Sequence, residues 1–189
     1  MKVGVLCSGG KDSHLAAYLA KESGYTISCL ITMNSQNKHS FMFHTPSIDK
    51  VRDQADAMGV PLIVVNTKGE KEKELRDLQK AISKAISEHG IEGIVTGAVA
   101  SVYQASRVQK ICKDLDLECF NPLWQKDQIE LLEDLVKHKF DVLIVGVFAY
   151  PLDESFLGRK IDKSFITDAK KLQKKYGISP SGEGGEFES

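Results

Sequence analysis

The chain has 189 residues, of which 42% are hydrophobic and 27% charged, and a formal net charge of −1. That length and composition suit one globular domain with room for a core, and the near-zero charge supplies no overall basic field to collect nucleic acid. The longest apolar runs fall far short of the roughly 20 residues that span a bilayer, and Met1 leads straight into a strand-like run with no signal-peptide core, so a cytoplasmic protein is expected.

Val3 to Cys7 reads as a short apolar strand and Leu15 to Ala20 as the body of a helix. Between them stands the turn Ser8-Gly9-Gly10-Lys11-Asp12-Ser13. Such a turn suits anion binding. Glycines let the backbone approach a phosphate without a Cβ clash, and the first N–H groups of the following helix, with its dipole, favour negative charge. Lys11 adds a mobile point charge, and Ser8 and Ser13 add hydroxyls. The spacing excludes a Walker A loop, because Gly10-Lys11 is followed by Asp12 and Val5 stands where the first glycine belongs. Adjacent Gly9 and Gly10 exclude a dinucleotide fingerprint.

Thr26 to Met33 is a second strand. Asn34 to Thr45 is then long for a strand-to-helix loop. It holds His39, Phe41, Met42, Phe43 and His44, which suit either a lid or docking surface or a small satellite core. Thr45 as cap and Pro46 at the first helical position open a helix carrying Ile48, Val51, Ala55 and Met58 at helical spacing. Gly59 ends it. Leu62 to Val65 is a strand. Lys71 to His89 is a helix with Leu75, Leu78, Ile82, Ala85 and Ile86 on one face, closed by Gly90.

Ile94 to Thr96 is the next strand. Gly97 marks its turn and leaves room for close approach of a ligand. Ser101 caps a helix to about Leu115, on which Gln104 and Arg107 share a face. An arginine there offers a forked contact to phosphate or carboxylate; a solvated helix face is the plainer alternative. Leu117 to Phe120 is a short strand, and Asp127 to Lys137 a helix. Val142 to Phe148 is a continuous apolar run, the pattern of a strand buried on both faces. A short helix near Asp153 to Leu157 and a Lys-rich one from Ser164 to Tyr176 follow. Ser181 to Ser189 is rich in glycine and glutamate. It reads either as a flexible acidic tail or as a motif in which Glu183, Glu186 and Glu188 converge on a magnesium ion or an ammonium.

Strands alternating with helices predict an α/β fold: a doubly wound, mainly parallel sheet of about five strands with helices on both faces, plus a small C-terminal helical segment. Residues 1–150 form the expected nucleotide-binding core. Residues 151–189 add the helical segment and the Gly/Glu-rich motif within the same domain. Ligands bind at the carboxyl ends of such strands, which singles out Ser8 to Ser13, Asn34 to Thr45, Gly97 to Gln104 and Ala149 to Gly158. The cysteines are Cys7, Cys29, Cys112 and Cys119. None makes a C-x-x-C pair, so no zinc knuckle or dithiol redox site is expected, and Cys7 and Cys29 read as small buried hydrophobes.

The turn Ser8 to Ser13 resembles, residue for residue, the SGGxDS turn of the ATP-pyrophosphatase (PP-loop) superfamily. Its members cleave ATP between the α and β phosphates, adenylate a substrate oxygen and release pyrophosphate. Further stretches resemble one branch, the diphthine–ammonia ligase family. They are Ser40-Phe41-Met42-Phe43-His44-Thr45, Gly97-Ala98 through Tyr103-Gln104 to Arg107, Pro122-Leu123-Trp124, and Gly182-Glu183-Gly184-Gly185-Glu186-Phe187-Glu188. The closing motif is far more specific than the phosphate turn. The sequence departs from the family where Phe187 and Ser189 replace Tyr and Thr.

The resemblance implies an adenine nucleotide alpha hydrolase-like fold. It implies ATP-dependent amidation of diphthine on translation elongation factor 2, with ammonium as nitrogen donor and AMP and pyrophosphate as products. ATP is then the co-substrate, with Mg2+ as its companion. Ser8, Gly9, Gly10, Lys11, Asp12 and Ser13 are expected on the β and γ phosphates, with Lys11 and Asp12 catalytic and Asp12 a candidate magnesium ligand. Met33 is expected beside the adenine. Gly97, Gln104 and Arg107 are expected near the nucleotide or the diphthine carboxylate, and Glu183, Glu186 and Glu188 on the amidation side. No glutaminase-sized domain and no Cys–His pair is legible, which agrees with free ammonia. Elongation factor 2 is the expected partner, with no membrane and no direct nucleic acid contact, and a homodimer is the candidate assembly. The rivals are a tRNA-modifying ATP-pyrophosphatase, which wants paired cysteines or an appended basic domain, and a nucleotide-binding module that leaves ATP intact.

Overall fold

The computed structural model describes residues 1–35, 48–70 and 72–189. They form two units, Met1–Trp124 and Gln125–Ser189; the sequence reading puts its own division at residue 150. The expected lid residues His39 to His44, and the cap Thr45-Pro46, lie outside the described residues.

In the first unit, five parallel strands alternate with four helices. In chain order they are β1 (Lys2–Leu6), α1 (Lys11–Glu22), β2 (Thr26–Ser35), α2 (Ile48–Met58), β3 (Leu62–Thr67), α3 (Lys73–His89), β4 (Gly93–Val95), α4 (Val102–Asp114) and β5 (Glu118–Phe120). The strand order is β3-β2-β1-β4-β5, which is the expected doubly wound sheet. β1 is central, with Val3 opposite Ile27 of β2 and Gly93 of β4. Val3 and Val5 are wholly buried, as expected for a central strand covered on both faces.

Sequence periodicity translates directly into packing. Leu78, Ala81, Ile82 and Ala85 of α3 form one buried cluster with Cys29, Ile31 and Met33 of β2, Ile63 of β3, and Val108, Ile111 and Cys112 of α4. Burying each large aliphatic chain contributes about 1.5–3 kcal/mol. α3 stops where Gly90 turns left-handed (φ 61°) and its N–H returns to Ile86 O. α4 starts where Ser101 Oγ accepts from Gln104 N. Met58 ends the apolar stripe of α2 but is 39% exposed, because the helix runs out beneath it.

The second unit holds α5 (Gln128–Lys137), β6 (Gly146–Val147), a short 3-10 turn, α6 (Lys163–Tyr176) and β7 (Phe187–Glu188). Here one expectation is corrected. Val142 to Phe148 is not a strand of the parallel sheet. On one edge Ile144 N donates to Arg159 O and Ile161 N to Val142 O; on the other Val145 N donates to Glu188 O and Phe148 N to Glu186 O. The ribbon is antiparallel where β6 meets β7. Its side chains alternate: Val142 and Ile144 are buried, whereas Leu143 and Val145 are 49% and 68% exposed. An unbroken apolar run is thus compatible with only one buried face. Ala149 to Gly158 consequently follows this ribbon and is not a loop of the parallel sheet. Among the described residues no helix is long and apolar enough to cross a membrane.

Candidate active site

From β1 the chain winds outward through β2 and β3, and from β4 it winds the other way to β5. The reversal lies between β1 and β4, where open parallel sheets leave a crevice for a ligand. The turn after β1 and Gly97 after β4 both belong to this point.

Gly9 adopts φ 84°, a conformation costly for any residue with a Cβ. Its carbonyl accepts from Gln54 Nε2 at 3.1 Å. Gly10, extended at the N-cap, receives no side-chain cap. Ser13 Oγ donates to Gly10 O at 2.9 Å, and His14 N reaches the same oxygen at 3.4 Å. The N–H groups of Asp12 and Ser13 make no backbone hydrogen bond among the described residues. A helix start with unspent donors, at the positive end of its dipole, is an anion site.

Lys11 is 8% exposed, and its ammonium donates to Asp12 Oδ2 at 2.8 Å. A buried cation with an adjacent carboxylate avoids the desolvation penalty of a lone charge. Asp12 Oδ1 is buried and has no hydrogen-bond partner among the described residues. That orphaned hard oxygen fits a divalent cation such as Mg2+.

Gly97 has a specific tenant. A Cβ there would sit 2.7 Å from Asp12 O and 2.9 Å from Ser13 N. The close approach is therefore made by the first turn of α1 itself, so Gly97 sets how the phosphate turn seats against β4.

Beneath the turn, Cys7 Sγ lies 3.7 Å from Ser13 Oγ and 3.9 Å from His14 Nε2. Burial pushes the thiol up, but the hydrogen bond and charge of His14, with Gly9 and Ser13, bring it below its ordinary value. Burial depresses His14, and the bond and charge of Cys7 lift it above its ordinary value. The sequence reading found no Cys–His pair. The fold makes one because the last residue of the strand run faces the first turn of α1.

On α4, Arg107 Nη2 donates to Glu72 Oε1 at 3.1 Å, and the guanidinium stacks 3.8 Å above the Tyr103 ring. Tyr103 Oη donates to the same Glu72 oxygen at 3.4 Å. Glu72 escaped the sequence reading; its left-handed backbone (φ 66°) just before α3 carries no local sequence signal. Gln104 lies in the first turn of α4, with its N–H committed to the Ser101 cap. Met33 is buried in the α3-side core.

In the second unit the closing motif is ordered structure, not a tail. Glu186 is 8% exposed. Its Oε1 accepts from Ser179 N at 2.8 Å and its Oε2 from Gly184 N at 2.9 Å. A Cβ on Gly184 would lie 2.6 Å from Glu186 Oε1. Phe187 is buried, edge-on to Phe165 with centroids 5.8 Å apart. Glu188 sits in β7, opposite Gly146. Among the described residues no group of three or more His, Cys, Asp or Glu is placed to hold a metal ion. Glu186 turns back onto its own loop, with one oxygen on each of the Ser179 and Gly184 N–H groups.

Comparison with known proteins agrees with this layout. The model of the diphthamide synthase N-terminal domain matches residues 1–119, and that of the diphthamide synthase C-terminal domain matches residues 127–189. A human diphthine–ammonia ligase is 32% identical, over 100% of this chain and 78% of its own length. The bovine enzyme of that name is 31% identical with the same coverage. The one from Schizosaccharomyces pombe is 31% identical over 100% of this chain but 34% of its own length. A solved tRNA thiolase from Methanococcus maripaludis superposes with a TM-score of 0.48 at 19% identity, over 96% of this chain and 68% of that one.

Proposed function

This chain belongs to the diphthamide synthase family, and from that premise we propose that it is a ligase that amidates diphthine at the expense of ATP. The carboxylate of diphthine attacks the α phosphorus. The α–β bridging bond breaks, pyrophosphate leaves, and an acyl-adenylate forms. Ammonia then attacks the acyl carbon, AMP leaves, and the amide of diphthamide remains. The protein substrate in this reading is translation elongation factor 2.

The observation that carries the reading is the open set of donors at the start of α1 beside a buried Lys11. Catalysis of the first step is mainly positioning and charge stabilisation. The N–H groups from Gly9 to Ser13 and the Lys11 ammonium take the β and γ phosphates, where charge builds as pyrophosphate leaves. Ser8 offers its hydroxyl to the same phosphates. Ser13, already committed to Gly10 O, holds the turn in shape. Asp12 Oδ1 is the group that would hold Mg2+, which supplies charge neutralisation at the departing phosphates. Met33 has its side chain in the core, so its main chain is what faces an adenine. Arg107, held flat on Tyr103 by Glu72, presents a forked donor to a carboxylate or phosphate, with Gln104 beside it on the same face. Glu183 and Glu188 are assigned to orienting ammonium, and Glu186 to holding the loop that carries them.

The test incubates the protein with ATP, Mg2+, ammonium and elongation factor 2 bearing diphthine. AMP formation that needs that substrate and ammonium supports the reading. AMP formation that needs tRNA instead moves the assignment to a tRNA-modifying relative, and intact bound ATP in every mixture reduces the protein to a nucleotide-binding module.

A further inference from the structure

The fold joins two cysteines that the sequence keeps apart. Cys112 lies near the end of α4 and Cys119 in the edge strand β5. Leu117 N donates to Cys112 O at 2.8 Å, folding the helix end back so that the strand starts beside it. Cys112 is buried in the α3–α4 core cluster and Cys119 packs against that cluster. Both side chains turn into this seam, close enough for each thiol to influence the other's titration. Both line a surface cavity of about 700 Å3 whose wall also carries Gln109, Lys110, Lys113 and Asp116. The sequence has no C-x-x-C motif here; the helix-to-strand turn brings the two cysteines to one cavity instead.

We propose that Cys112 and Cys119 are a thiol–disulfide pair, oxidised to an intramolecular disulfide by a small anionic disulfide of the oxidised-glutathione type that enters this cavity. Cys119 is the attacking group because it is half-buried and reachable, whereas Cys112 is 1% exposed. The hydrogen bond from Cys112 holds the Cys119 thiol below its ordinary value against the opposing effect of burial. The same bond, with burial, pushes Cys112 up. Lys113 on the cavity wall favours both a thiolate and the carboxylates of the incoming disulfide, while the Lys110 ammonium is shared with Asp114. The Cys119 thiolate attacks one sulfur of the reagent, and one reduced thiolate leaves. Cys112 then gives up its proton and attacks the Cys119 sulfur of the mixed disulfide, and the second reduced thiolate leaves. Two protein thiols are oxidised and one reagent disulfide is reduced to two thiols. The new bond ties the end of α4 to β5. Cys29, wholly buried and pushed up to about 11 by burial, and Cys7, 4% exposed, lie outside the cavity.

The experiment treats the folded full chain with oxidised glutathione and reads intact mass, free thiols and tryptic peptides. The expected product loses about 2 Da and two of its four thiols. Trypsin cuts after Lys113, so the peptides bearing Cys112 and Cys119 stay joined only through the disulfide. Cys112→Ser should stop at one persistent glutathionyl group on Cys119, and Cys119→Ser should leave Cys112 as a thiol. A stable mixed disulfide in the unsubstituted protein, a cross-link through Cys7 or Cys29, or four intact thiols in a chain that circular dichroism shows folded would each overturn the assignment.

Discussion

Two glycine-rich turns, one in each unit, use similar chemistry to opposite ends. In Ser8 to Ser13 the glycines bring backbone donors to the start of α1 and leave those of Asp12 and Ser13 without a backbone acceptor. In Ser179 to Glu186 the glycines do the same, but an anion is already supplied: the Glu186 carboxylate takes the N–H groups of Ser179 and Gly184. The first is a nest waiting for an external anion; the second is filled from within. Glycine content alone therefore does not mark a ligand site. What marks it is the balance between donors presented and acceptors supplied by the chain.

If the first turn is the working one, a change that leaves its shape but alters its charge should be the most damaging of all. Asp12→Ala removes the orphaned oxygen and the partner of Lys11 together. Pyrophosphate release should fall by a factor of at least about 100, the scale of removing one preorganised electrostatic group, in a chain that still folds but melts lower, because buried Lys11 has lost its partner. Near-normal pyrophosphate release in that variant would take the turn out of the chemistry.

The filled turn should respond in the other currency, stability. Glu186→Ala leaves the N–H groups of half-buried Ser179 and exposed Gly184 without their acceptor, at a cost of up to about 1–3 kcal/mol for a group that stays unsatisfied and less for one that water reaches. Denaturant unfolding should show that loss. Glu186→Gln keeps one acceptor and should lose less, with ATP affinity preserved and amidation reduced. A Glu186→Ala protein as stable as its parent would mean that water or a rearranged loop fills the nest.

How much of this was legible beforehand divides along the same line. The first unit follows local rules: alternation of strands and helices, Ser101 as cap, Gly90 as stop, apolar spacing on α3. Each is written within a few residues, so the sheet and the phosphate turn could be read directly. The second unit depends on pairing at a distance. Val145 meets Glu188 and Ile144 meets Arg159, and nothing near Val142 announces an antiparallel partner rather than a parallel neighbour. The same holds for the candidate site. Lys11 and Asp12 stand together in sequence, whereas the Arg107–Glu72 pair, the contact of Gly97 with Asp12 and the Cys7–His14 pair arise only when elements pack.

The seating of the first turn gives a smaller and more selective effect. Gly97→Ala places a methyl group within 2.7 Å of Asp12 O and 2.9 Å of Ser13 N, where backbone must shift. The overpacking should cost about 1–3 kcal/mol, and the displaced turn should raise the KM for ATP several-fold. Substrate-independent stability loss with an unchanged KM would show that the nest tolerates displacement and that Gly97 serves packing alone.

The smallest expected effect isolates the floor of the working nest. Cys7 titrates below its ordinary value although burial alone would push it up; the His14 bond and charge make the difference, with Gly9 and Ser13 assisting. In His14→Gln the burial remains and the imidazolium is gone, so the Cys7 thiol should titrate higher than in the parent. The fraction of thiolate at any pH below that value then falls, and alkylation of Cys7 should need a more alkaline solution. The measurement is the pH profile of alkylation at Cys7, read by peptide mass in a chain carrying Cys112→Ser and Cys119→Ser. The midpoint should move up, and saturating ATP should slow the reaction in both proteins if the phosphates close the nest above the thiol. A midpoint that stays put on removing His14 would mean the turn's own N–H groups and dipole stabilise the thiolate. In that case the anion preference of the first turn extends beneath it as well as above, and the contrast with the Glu186 loop becomes sharper.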